Sequence, residues 1–118
     1  MKAYLIDPWT LSISEVDYSG DYKQIYTFIK ADLFDVVGIN QNGDCIYVDD
    51  EGLLKDPDHW ILLEGYDQPL AGRGLVLGTD DEGKSVDPTI TLQALASRIY
   101  VGSPGTGWVR PFVRAHVA

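Results

Sequence analysis

Apolar and polar positions along the 118-residue chain change period several times, and each change marks an element. Residues 3–7 form a short apolar run closed by Asp7, Pro8, Trp9 and Thr10, where Asp opens a turn and Pro presets its second position. Leu11 and Ile13 then alternate with Ser12 and Ser14, the period of a half-buried strand returning antiparallel to the first. Ser19, Gly20 and Asp21 break that pattern. Tyr22, Ile25, Tyr26 and Ile29 follow at helical spacing, which predicts a helix over 22–31 with Asp21 and Gln24 in the positions of a capping box.

Between residues 34 and 54 the pattern is that of a β-hairpin. Val36, Val37 and Ile39 form one arm and Ile46, Tyr47 and Val48 the other, with Asn42–Gly43 at the tip, where both residues tolerate the positive φ of a tight primed turn. Pro57 and its polar neighbours mark a connection. Residues 60–64 read as a buried strand, and residues 68–74 as a loop in which Gly72 and Gly74 permit close backbone approach. Residues 75–78 form a further strand, which turns at Asp80–Gly83 so that 84–86 pairs back on it. Thr91 caps a second helix over 91–100 that buries Leu92, Leu95 and Ile99. Residues 102–107 read as a Gly/Pro linker. Residues 108–118 form an extended tail in which Pro111 limits any strand to a sheet edge. The expected organisation is one domain over 1–102, with linker and tail over 103–118.

Composition narrows the class. Hydrophobic residues make up 45% and charged residues 23%, ordinary for a globular domain. No apolar run reaches the roughly 20 residues of a membrane span, and Asp7 and Pro8 come too early for a signal-peptide core. A single cysteine, Cys45, makes no internal disulfide, so the expected location is cytoplasmic. Eighteen acidic residues against nine basic ones give a net charge of −9, a field that repels phosphate backbones and anionic lipid, so direct nucleic-acid or membrane binding is not expected. The tail departs from this balance: residues 103–118 carry Arg110 and Arg114 and no acid.

No catalytic signature emerges. Cys45 lies mid-strand with only His59 and His116 available as bases, and no zinc, Walker or nucleophile-elbow spacing occurs. The two Asp-Asp-Glu-Gly runs, 49–52 and 80–83, place acids consecutively, which serves turns better than a metal centre, whose ligands alternate so as to converge. No cofactor and no metal are expected. Two places invite binding. The Gly72–Arg73–Gly74 loop joins a guanidinium to exposed backbone N–H groups suited to an anion such as a nucleotide. Trp108, Arg110, Phe112 and Arg114 supply aromatic and cationic anchors for an interface.

The opening Ala3–Tyr4–Leu5–Ile6–Asp7–Pro8, Phe34–Asp35–Val36, the run from Ile46 to Lys55, and the run from Pro69 to Gly78 with the second Asp-Asp-Glu-Gly resemble domain of unknown function 3846. The resemblance covers about residues 1–100. It implies a small phage- or plasmid-associated domain without established activity, and so carries over no site residues. The expected fold is α+β: a mainly antiparallel, curved sheet of about five to seven strands, the central hairpin interior, and both helices on one face. The expected function is that of a non-enzymatic accessory protein that binds a host protein or a second copy of itself. A pocket sequestering an anionic, nucleotide-like molecule and a DNA mimic stand as alternatives.

Overall fold

The computed structural model describes residues 1–114 and has an α+β fold. In chain order its elements are β1 (Lys2–Asp7), β2 (Ser12–Asp17), α1 (Lys23–Ile29), β3 (Phe34–Gly38), β4 (Cys45–Asp49), β5 (Trp60–Leu63), β6 (Leu70–Ala71), β7 (Gly74–Thr79), β8 (Ser85–Val86), α2 (Leu92–Ala96), β9 (Ile99–Ser103), β10 (Gly107–Val109) and β11 (Phe112–Arg114). They form two sheets where the hydrophobic pattern suggests one. The larger has seven strands in the order β11-β2-β1-β7-β4-β3, with β8 on the far end of β7; the smaller has four, β10-β9-β5-β6. Every pairing is antiparallel except that of β11 with β2. No helix among the described residues is long and apolar enough to cross a membrane.

Strand alternation explains why the two helices lie on opposite faces of the large sheet, not on one. Ala3 of β1 and Leu75 and Leu77 of β7 pack with Ile25 and Ile29 of α1. Tyr4, Ile6 and Val76, one residue out of phase, pack with Leu95 and Ala96 of α2 and with Ile61, Leu63, Ile99 and Val101 of the small sheet. Successive side chains point to opposite sides, so a sheet apolar on both faces needs cover on both. The strand at its centre is β7, buried from Gly74 to Gly78. The β3–β4 hairpin is therefore not interior: β4 pairs with β7, while β3 forms the sheet edge with Asp35 and Val36 exposed.

Three local features also differ from the sequence pattern. The hairpin tip is a four-residue loop in which Gly43 alone adopts positive φ (+93°), because the Asn40 side chain bonds the N–H groups of Asn42 and Asp44 and holds the loop open. At α1, Gln24 bonds the Ser19 N–H (2.7 Å) and Asp21 the Lys23 N–H (3.0 Å), two one-way contacts in place of a capping box. The second helix stops at Ala96 although its Thr91 cap forms as expected, with the Oγ1 accepting from Ala94 N. Ile99 fits the helical stripe but also starts an Ile99–Val101 alternation, and pairing with β5 takes it.

Residues 102–107 accordingly act as a hairpin turn between β9 and β10, closed by Thr106 N–H on Ser103 O (3.1 Å), and not as a linker. The chain then returns to the large sheet, where Phe112 N–H bonds Leu11 O (2.8 Å) and β11 lies parallel to β2. Residues 115–118 of the tail lie outside the described residues.

Asp44 ties the loop to the rest. Its carboxylate is 1% exposed and accepts from Thr89 N (2.8 Å), Thr89 Oγ1 (2.7 Å), Ile90 N (2.9 Å) and Asn40 Nδ2 (2.9 Å). Burial pushes the carboxyl upward, but the bonds from Asn40, Thr89 and Ile90 outweigh it and hold the group below its ordinary 3.8. A folded-state pKa below the unfolded one gives stability that is present above the unfolded value and lost as pH falls through the folded value. We expect Asp44→Ala to cost about 3 kcal/mol in urea unfolding at pH 7, because several buried donors lose their acceptor at once. The gap to wild type should narrow below about pH 4. A cost under about 1 kcal/mol would mean the clamp is dispensable.

Candidate functional site

Two neighbouring cavities, of about 210 and 450 Å³, open beside Asp49 and Ala71, which line both. The smaller one gathers cations. Lys30, Lys55 and Arg73, three of the nine Lys and Arg residues in this acidic chain, line it together with Trp9 and His59. Each arrives from a different element: Lys30 from the end of α1, Lys55 from the 3-10 turn Gly52–Lys55, Arg73 from the connection between β6 and β7, and Trp9 from the β1–β2 turn.

Arg73 and His59 both pack against the Trp9 indole. The guanidinium lies 4.3 Å from the Trp9 ring centroid, and the His59 ring lies 4.4 Å from it, inclined by 14°. The indole nevertheless keeps 47% of its surface exposed. Carboxylates hold both groups: Asp7 Oδ2 lies 3.4 Å from Arg73 Nε, and Asp58 Oδ1 lies 2.7 Å from His59 Nδ1. Asp7 also bonds Trp9 N (2.9 Å), which fixes the turn that presents the indole. Among the described residues no other hydrogen bond engages the guanidinium. Its terminal nitrogens therefore remain available on a side chain that is 17% exposed and lines the cavity.

Backbone strain collects in the same place. The chain has three non-glycine residues with positive φ among those described: Leu11 (+55°), Lys30 (+56°) and Asp56 (+50°). Lys30 and Asp56 line the cavity, and Leu11 stands two residues after Trp9. A left-handed conformation costs a residue with a Cβ roughly 1–2 kcal/mol, and such outliers concentrate at functional sites.

Three carboxylates, Asp49, Asp56 and Asp58, line the same cavity and match its three cations in number, and Asp49 and Asp58 are engaged by partners. Asp49 Oδ2 bonds Lys55 Nζ (2.7 Å), a contact that raises the lysine pKa and keeps the ammonium charged, while Asp49 Oδ1 accepts from Glu51 N (2.9 Å). Asp80 plays the same turn-forming part in the second acidic bend, accepting from Glu82 N and Lys84 N (both 2.9 Å). The antiparallel register of β4 with β7, Cys45↔Leu77 and Tyr47↔Leu75, puts the two bends at opposite ends of the sheet. Among the described residues no three His, Cys, Asp or Glu side chains gather as metal ligands would. Cys45 is buried, with Sγ 3.6 Å from Leu77 O and from Thr79 Oγ1.

The Gly72–Arg73–Gly74 loop thus divides. Gly72 and Arg73 line the cavity, and Gly72, at φ +82°, gives its N–H to His59 O (2.9 Å), so it offers no free donor to an anion. Gly74 faces the core: a Cβ there would stand 2.9 Å from Ile46 Cγ1 and 3.1 Å from Ile61 Cδ1. Of the residues singled out in the tail, Trp108 is 45% exposed and Phe112 69%. Arg110 is folded against β9, its guanidinium 4.0 Å over the Tyr100 ring and its Nη1 donating to Ile99 O (3.2 Å). Arg114 is exposed on β11. None of these four lines the cation cavity.

Residues 1–98 match the family model described as Domain of unknown function (DUF3846). The chain belongs to that family. No curated protein and no solved structure matches it. The DUF3846 match takes in every residue lining either of the two neighbouring cavities and ends just before β9, so the tail aromatics lie beyond it. Sequence reasoning reached Arg73 because glycines flank it, but missed Trp9, Lys30, Lys55 and His59, which no spacing connects. We expect Gly74→Ala to lower stability by about 1–3 kcal/mol in urea unfolding through overpacking against Ile46. A loss below about 0.5 kcal/mol would show that the strand has room there.

Proposed function

We propose that this protein is a non-enzymatic binding protein whose smaller cavity holds an anionic small molecule, a phosphate ester or a nucleotide. The observation that carries the reading is the meeting of Lys30, Lys55 and Arg73 in one cavity of a chain with net charge −9. Charge-assisted hydrogen bonds to an oxyanion are about twice as strong as neutral ones, and a guanidinium offers its two terminal nitrogens as a fork. The left-handed Lys30 and Asp56 are the C-caps of α1 and of the 3-10 turn, and ending those helices there is what places both residues on the cavity rim. Trp9 keeps 47% of its surface exposed beside Arg73 and His59, so the indole edge stays within reach of a ligand held by its anionic group.

The test is a thermal-unfolding panel of inorganic phosphate, nucleoside mono-, di- and triphosphates and small dicarboxylates against the full chain. A ligand at a hundred times its Kd should stabilise by about 2.7 kcal/mol, roughly 10 °C in melting temperature for a chain of this size. Lys30→Glu, on an exposed side chain, should abolish the rise, and Arg73→Gln should weaken binding about tenfold or more. A panel in which nothing raises the melting temperature, or an equal rise in Lys30→Glu, defeats the reading.

A further inference from the structure

The large sheet has two edges, and they are finished differently. At β3 the pairing Ile39 N–H to Asp44 O sets the hydrogen-bonding phase, so that Val36 and Gly38 direct their backbone groups away from β4. One group of each is covered: the Val36 N–H is taken by the Asp35 carboxylate (2.8 Å), and the Gly38 carbonyl accepts the Tyr66 hydroxyl. A carboxylate at the edge and a capped carbonyl are the means by which a sheet refuses a further strand.

At β11 that protection is lacking among the described residues. Phe112 N–H bonds Leu11 O, so the backbone groups of Phe112 and Arg114 face β2, and the N–H and C=O of Val113 face outward. Phe112 is 69% exposed and Val113 44%. This donor–acceptor pair, set between exposed apolar side chains, is a template for another strand.

We propose that the strand it takes is β11 of a second copy, placed antiparallel about a two-fold axis through Val113. In that register the two Val113 residues exchange both N–H···O bonds, and Phe112 of each copy stands opposite Arg114 of the other. One symmetry operation makes two cation–π pairs from a three-residue sequence, which is what self-complementarity at an isologous interface requires. Charge favours the same place. Residues 1–87 hold all 18 acids with six of the nine bases, whereas residues 88–114 hold Arg98, Arg110, Arg114 and no acid. Residues 88–114 bring no carboxylate to such a seam, and Glu15 and Asp17 stand one strand further in, on β2. The seam lies outside the DUF3846 match and is independent of the cavity, so it stands or falls separately from ligand binding.

Sedimentation equilibrium of the full chain up to millimolar concentration tests the proposal. The mass should rise with concentration toward twice the 13.1 kDa of one chain. Phe112→Arg sets arginine against arginine and should weaken association about tenfold or more. The double variant Phe112→Arg/Arg114→Phe rebuilds the opposed pair and should restore it. Val113→Pro removes the outward N–H while sparing the bonds to β2, and should leave a folded monomer. A wild-type chain that stays at 13.1 kDa at millimolar concentration overturns the proposal. So does association unchanged by Phe112→Arg and Val113→Pro, or a folded double variant that fails to recover it.

Discussion

Leu75, Val76 and Leu77 have no exposed surface, and the strand that carries them sits between β1 and β4 with apolar neighbours above and below. That constraint orders the molecule. One face of β7 demands a layer, which α1 supplies with Ile25 and Ile29. The other demands a second, which the small sheet and α2 supply together. Each buried aliphatic side chain contributes on the order of 1.5–3 kcal/mol, so leaving either face bare would forfeit several such terms. The chain therefore passes from α1 on one side to β5 and β9 on the other, and the loops making those passages are the ones that surround the cavities.

Polar chemistry pins this arrangement at places the apolar contacts leave loose. Asp44 has four donors on its carboxylate and joins the β3–β4 loop to the segment entering α2. Tyr4 adds a bond from its hydroxyl to Ile90 O (2.8 Å), so the segment before α2 is tied from two directions. At the opposite end of β4, Asp49 and the contacts running from Asp58 through His59, Trp9 and Arg73 to Asp7 tie together three connections that have no regular structure. Some of the acidity that gives the chain its charge is thus spent on fixing loops, which agrees with the turn-forming parts of Asp49 and Asp80.

Much of this was legible in the residue pattern. The α+β class, β1, β2, α1, β4, β5, β7 and the β7–β8 ribbon follow from period and turn chemistry, because each is a local run with one dominant spacing. What failed was the assignment of residues that satisfy two spacings, and of surfaces defined only by partners. Ile99 suits a helix face and a strand equally, and only β5 decides. Gly102, Pro104 and Gly107 serve a linker as well as a hairpin, and only the pairing of Trp108 with Gly102 separates the two. The cavity was half legible. Arg73 stands out between glycines, but the left-handed backbones of Lys30 and Asp56 leave no mark in residue type, and Trp9 and His59 meet across 50 residues of chain.

The parallel pairing of β11 with β2 sets Phe112 beside Ser12, a separation of 100 residues. Three paired residues at a sheet edge contribute few hydrogen bonds to hold β11 there. This seam should be the first part of the sheet to fray, so that the outer border of the N-terminal hairpin is the part of the molecule most often laid open in the native state.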